Sequence, residues 1–139
     1  MKIRPFDELD QEAVIQLWHD CNLIVAWNDP VKDISRKLLV DRDLFLVGEV
    51  DGEIVGSVMG GYEGHRGWVN YLAVALEHQR KGYGSQLMLE IEKLLIEKGC
   101  PKINLQIRTT NQNVISFYKS IGFTCDEVVS MGKRFIEDE

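Results

Sequence analysis

An α/β fold, a mixed sheet with helices on both faces, is what this sequence predicts, and three observations predict it. Apolar residues switch back and forth along the chain between the two-residue period of a strand and the three-to-four-residue period of a helix. A tight hairpin signature stands in the first half and strand-helix-strand units fill the second, which is the pattern of a mixed sheet. The 139 residues contain no internal repeat, low-complexity tract or Pro- or Gly/Ser-rich linker, so one domain over 1–139 is expected, large enough to bury a core without staples.

The elements follow in order. A short strand over 2–4 precedes a helix from about Asp7 or Asp10 to Asp20, in which Ala13, Val14, Leu17, Trp18 and Cys21 recur at helical spacing and mark a core face. Trp18 belongs to that face and takes no functional role. Asn28-Asp29-Pro30 reads as a helix start, with Asp29 capping free backbone donors and Pro30 in the first turn, for a helix to about Val40. Segments 44–50 and 53–59 flank Asp51-Gly52, a two-residue turn whose centre needs positive φ. A strand over 68–74 comes next, and Gly60, Gly61, Gly64 and Gly67 are expected to supply the turn before it. Leu87, Ile91, Leu94 and Leu95 mark an amphipathic helix from Gly82 to Lys98, closed by Gly99 and Pro101. A strand over 102–108 and a helix over 113–121, capped by Asn113 and stopped by Gly122, lead to closing strands over 123–131 and 133–136.

Composition excludes several classes of function. A net charge of −6 without a basic block gives little electrostatic support for a nucleic-acid partner. No apolar run approaches the ~20 residues that span a bilayer, and no signal-peptide pattern opens the chain, so a cytoplasmic protein is expected. Cys21, Cys100 and Cys125 are widely spaced and odd in number, the mark of packed thiols and not of a disulfide framework. His19, His65 and His78 show no metal-ligand spacing, and no metal is expected.

The chemistry is concentrated where Tyr71-Leu72-Ala73-Val74 leads through a short loop into Gln79-Arg80-Lys81-Gly82-Tyr83-Gly84-Ser85 at the head of the long helix. Free N–H groups at a helix start attract an anion, glycines let it approach the backbone, and Arg80 and Lys81 add charge. A Rossmann loop would need glycine where Leu87 stands, and no Gly-Lys-Ser/Thr of a Walker loop is present.

Residues 79–84 resemble the Q/R-x-x-G-x-G/A acetyl-CoA loop of the GNAT superfamily of acetyltransferases, and 111–123 resemble its N-x-x-A-x-x-x-Y-x-x-x-G-F segment, with Val114 in place of alanine. Segments 26–30, 59–62 and 132–134 are similar to the bacterial YpeA-type subgroup. The resemblance implies a six- to seven-stranded sheet with about four helices, and direct transfer of acetyl from acetyl-CoA to an amine. It implies that Leu72, Ala73 and Val74 offer backbone groups to the pantetheine arm and thioester, that Gln79 to Ser85 hold the diphosphate, that Asn111 contacts the cofactor arm, and that Tyr118 protonates the departing thiolate. The acceptor would be a small molecule, a protein N-terminus or a lysine, and the protein a monomer or homodimer.

One part of the family's pattern is missing. The glutamates that serve relatives as general base fall at Gln106 and Trp68, leaving Glu63 and His65 as the nearest titratable candidates. A water chain, an acceptor of low amine pKa, or a non-catalytic acetyl-CoA-binding module would each accommodate that absence. A scaffold that binds no CoA would require the loop match to be accidental. Trp27, Asn28 and Asp29 lie where the resemblance puts the acceptor pocket, though Asp29 already serves as a helix cap.

Overall fold

The computed structural model describes residues 1–138. In chain order the elements are β1 (Lys2–Pro5), α1 (Gln11–Asp20), α2 (Pro30–Lys37), β2 (Phe45–Val50), β3 (Glu53–Tyr62), β4 (Gly67–Val74), α3 (Tyr83–Glu97), β5 (Ile103–Asn104) and α4 (Gln112–Ser120). The strands form one sheet in the order β1-β2-β3-β4-β5, antiparallel through β4, with β5 parallel to β4. No helix among the described residues is long and apolar enough to cross a membrane.

Two apolar layers follow from the alternation of side chains across the sheet. Phe45, Val47, Val55, Met59 and Ala73 pack against Val14, Leu17 and Trp18 of α1 and Ile34 of α2. Leu44, Leu46, Val58 and Val69 pack against Leu87, Met88, Ile91 and Leu95 of α3 and Tyr118 of α4. Since both faces of β2 are covered, its apolar run is continuous and lacks the alternation of a half-exposed strand.

Local chemistry sets the element ends. Asp51 (φ 50°) and Gly52 (φ 79°) form the β2–β3 turn with the positive φ values a two-residue hairpin requires. Asp29 accepts from the N–H groups of Val31 (2.9 Å) and Lys32 (3.2 Å), with Pro30 in the first turn. Before α1 a 3-10 turn over Glu8–Asp10 is capped by Asp7, while Asp10 accepts from the Asp7 N–H (2.8 Å) and from both terminal nitrogens of Arg4 (2.8 and 2.9 Å). That clasp ties the end of β1 to the start of α1.

Two expectations are corrected. Gly60 and Gly61 are strand residues of β3, and the turn lies beyond them, around Gly64 (φ 102°). Gly60 is there for close packing, because a Cβ on it would stand 2.7 Å from Ile91 of α3. Gly60→Ala should therefore push α3 outward and cost about 1–3 kcal/mol, read as a lower urea midpoint with an unchanged slope.

The sheet also has five strands, where six to seven were expected. Only Ile103 and Asn104 of the 102–108 segment pair with β4, so β5 offers a ladder edge too short for 123–131 or 133–136 to join. The 124–138 segment instead crosses the molecule through side-chain contacts. These are Lys102–Asp126 (2.7 Å), Gln106 to the Ser130 hydroxyl, Arg134 to Asn28 (3.2 Å) and a forked Arg36–Asp138 pair (2.7 and 2.8 Å). Val128, Val129, Met131 and Phe135 point to solvent.

Candidate functional site

The end of β4 departs from a regular strand. Ser57 pairs with Ala73 and Met59 with Asn70, so Tyr71 and Leu72 together face Val58, and Tyr71 takes a φ of 52°. Such a bulge bends its strand and re-aims backbone groups. On the other side β5 pairs only with Gly67 and Trp68, which leaves that edge of β4 without a ladder partner from Val69 onward. The Ala75 N–H donates to Val55 of β3 (2.8 Å), and backbone groups alternate between edges along a strand. Leu72 and Val74 therefore turn theirs to the open edge, while Ala73 turns its own toward β3. The Val74 carbonyl already accepts from the Gln79 amide (3.0 Å) and from the Cys21 thiol (3.3 Å), whose pKa burial raises. Gln79 thus braces the loop against β4.

From that edge the chain enters a turn with two left-handed residues, Arg80 (φ 64°) and Gly82 (φ 80°), and then α3. The first helical bond is Gln86 N–H to the Gly82 carbonyl (3.0 Å), and no side chain caps the helix. Among the described residues nothing accepts from the N–H groups of Tyr83, Gly84 and Ser85. These amides, with exposed Arg80 and Lys81 beside them, make a concave anion site at the positive end of a helix of four turns. The two glycines divide the work. Gly82 supplies the left-handed turn, whereas a Cβ on Gly84 would come within 3.1 Å of the Phe117 ring, so Gly84 lets α4 pack against the head of α3.

In α4 the cap is Asn111, whose side-chain oxygen accepts from the Val114 N–H (3.3 Å). This corrects the expectation that Asn113 is the cap; the helix begins one residue earlier. Tyr118 sits edge-on between Phe117 (5.1 Å) and Phe123 (5.4 Å), in the apolar cluster that also takes in Leu72, Val74 and Val114. No hydrogen bond contributes to its titration, and burial alone pushes its pKa up to about 12. Tyr118 lines a groove of about 1170 Å³ together with Trp68, Glu92, Asn104, Gln106 and Ile107.

No expected base stands ready. The amide of Gln106 lies against Ser130, and Trp68 carries no basic atom. Glu63 accepts from the backbone N–H groups of His65 (2.7 Å) and Arg66, which hold its carboxyl below the usual range. It closes the β3–β4 turn and is a poor proton acceptor, which argues against Glu63 as the base. Glu92, a residue the sequence reading missed, borders the groove with a carboxyl that burial raises. On the α1–α2 side of the sheet Asp29 is occupied as a cap and the Tyr71 hydroxyl donates to Asp33 (2.6 Å), while Arg108, which also lines the groove, lies 5.7 Å from the Trp27 ring. Among the described residues no group of three or more His, Cys, Asp or Glu gathers around a possible metal position.

Comparison with known proteins bears on the family and the fold. Residues 6–123 match the model of the Acetyltransferase (GNAT) family. An acetyltransferase of Pectobacterium atrosepticum is 51% identical over 138 residues, covering 99% of this chain and 98% of its own. The crystal structure of Ard1 from Thermoplasma volcanium superposes with a TM-score of 0.80 at 27% identity, over 88% of this chain and 82% of that one. AAC(6')-Iy, solved in complex with the bisubstrate analog CoA-S-monomethyl-acetylneamine, shares the fold at 18% identity, with a TM-score of 0.78 over 96% of this chain and 98% of its own.

Proposed function

The chain belongs to the GNAT acetyltransferase family, and from that premise we propose that it binds acetyl-CoA and transfers the acetyl group directly to an amine. The observation that carries this reading is the open edge of β4 leading straight to the unpartnered amides that begin α3. An extended amide-bearing arm can lie along the former as a strand would, and a diphosphate suits the latter. Tyr83, Gly84 and Ser85 would hold the phosphates with help from Arg80 and Lys81, and Leu72 and Val74 would meet the pantetheine arm. Asn111, whose side chain caps α4, would act on the cofactor through the start of that helix.

Acetyl-CoA supplies an activated acyl carbon, and the residues do the rest. A backbone N–H aimed at the thioester oxygen stabilises charge as it grows there. The Tyr118 hydroxyl, without a competing partner, can give a proton to the sulfur that leaves. An alkylamine of pKa ~10.4 is only about four parts in ten thousand neutral at pH 7, so the ammonium must lose its proton first. With glutamine and tryptophan at the relatives' base positions, ordered water is the route this site offers. The acceptor is an amine of a small molecule, a protein N-terminus or a lysine.

A calorimetric titration with acetyl-CoA, followed by a free-thiol assay over small amines, polyamines, aminoglycosides and peptides, tests the reading. Micromolar binding and acceptor-dependent CoA release are expected. No heat at millimolar acetyl-CoA would overturn it. Binding without release on any acceptor would favour a second reading, a CoA-binding module without catalysis, which the substituted base positions support.

A further inference from the structure

We infer that Ser57, held by Trp18, is a positioning residue that aims the Leu72 N–H at the thioester oxygen by fixing the Tyr71–Leu72 peptide from behind. The inference rests on the acetyl-transfer reading and adds to it a part of the core remote from the loop motifs. The indole nitrogen of Trp18 donates to the Ser57 hydroxyl at 2.9 Å, and that hydroxyl lies 2.9 Å from the Tyr71 carbonyl. An indole N–H can only donate, so the serine oxygen accepts there and its single proton goes to the carbonyl. Direction is thereby fixed along the whole chain of bonds. Both Trp18 and Ser57 are 0% exposed, so no water competes.

The consequence follows from peptide planarity. The Tyr71 carbonyl and the Leu72 N–H belong to one trans peptide unit and point in opposite directions. A carbonyl drawn inward to Ser57 sends the N–H outward, to the edge of β4 that β5 leaves open. The conformation needs such restraint, because an aromatic residue at a φ of 52° is held against its own preference. Tyr71 is secured at two further points. Its ring stacks on Trp18 at 3.9 Å and 14°, and its hydroxyl donates to Asp33 at 2.6 Å.

Ser57→Ala and Trp18→Phe separate positioning from packing. Alanine removes the side-chain donor to the Tyr71 carbonyl while changing little volume. Phenylalanine removes more of the core yet leaves the Ser57 hydroxyl on that carbonyl. Ser57→Ala should lower kcat roughly tenfold, with KM for acetyl-CoA and affinity for CoA within about twofold of wild type. Trp18→Phe should lower the melting temperature more and kcat less, roughly twofold to threefold. In the free protein, NMR relaxation dispersion should detect exchange confined to the Tyr71–Ala73 amides of Ser57→Ala. A turnover loss that follows melting temperature, or a quiet bulge in Ser57→Ala, overturns the assignment. Ser57→Cys, with a weaker donor at the same place, covers an alanine variant that does not fold; intermediate turnover and bulge exchange are expected, and wild-type behaviour in both overturns the inference. If wild-type protein binds no acetyl-CoA the acetyl-transfer reading fails, whereas the NMR comparison still decides whether Ser57 holds the bulge.

Discussion

Gly82→Asp should weaken acetyl-CoA binding by roughly 100-fold, the order expected when one negative charge meets a diphosphate a few ångströms away in partly screened surroundings. Gly82 precedes the first turn of α3 with a φ of 80°, and the unpartnered amides of Tyr83, Gly84 and Ser85 follow it directly. A carboxylate there would both occupy those donors and cancel the positive end of the helix. The fold should survive, since a Cβ at this position meets nothing within 4 Å and the left-handed conformation costs a non-glycine residue only about 1–2 kcal/mol. Gly82→Asn is the control. Asparagine has the same shape, tolerates positive φ and brings no charge, so it should hold affinity within about tenfold of wild type. Calorimetry on both variants separates charge from shape. If the aspartate variant binds as wild type does, the anion does not sit at the head of α3. The corresponding change at Gly84 would be ambiguous, because Phe117 stands 3.1 Å from a Cβ placed there and α4 would have to move.

What the sequence disclosed depended on how locally each feature is encoded. Asp51-Gly52, Asp29-Pro30 and the Gly82 turn are settled within a few residues of chain, and each appears where expected. The apolar stripe of α3 was equally plain, because one buried face recurs over fifteen residues. Other features depend on the neighbour across the sheet or between layers. Gly60 reads as a turn residue until Ile91 is seen pressing against it. Apolar alternation in 123–136 suggests strands, but a strand needs an edge to join and β5 provides two residues. Tyr71 gives no local sign of a bulge, and Ser57 looks like an ordinary strand serine. Their roles arise only when Trp18, thirty-nine residues earlier in the chain, reaches across to hold them. The turn at the head of α3 was thus legible and the bulge at Tyr71–Leu72 that re-aims the end of β4 was not.

Tyr118→Phe should reduce turnover by about 10- to 100-fold, at or below the lower bound of the roughly 100- to 10,000-fold usual for general acid–base catalysis, while leaving affinity for acetyl-CoA within about twofold. The modest size has a physical reason. A thiol of pKa ~8.5 is a fair leaving group even unassisted, and in water a phenol of pKa ~10 is the weaker acid of the two. Burial pushes the Tyr118 phenol up to about 12. The apolar surroundings that do so would disfavour a thiolate as well, which keeps the transfer from becoming steeply uphill. The phenol carries its proton below about 12 and loses it only as pH rises through that value, so it is a competent donor at every working pH. Between pH 6 and 10 the rate should climb as the acceptor amine deprotonates, and Tyr118→Phe should give the same profile displaced downward. A limb that disappears with the hydroxyl would assign a titration to Tyr118 that its surroundings forbid. Stability should not fall, because the Tyr118 hydroxyl makes no side-chain hydrogen bond whose loss would cost the fold and is not among the fully buried unpaired polar atoms of the described residues. Unchanged turnover at unchanged stability would make Tyr118 a core residue between Phe117 and Phe123, and the leaving thiolate would take its proton from water.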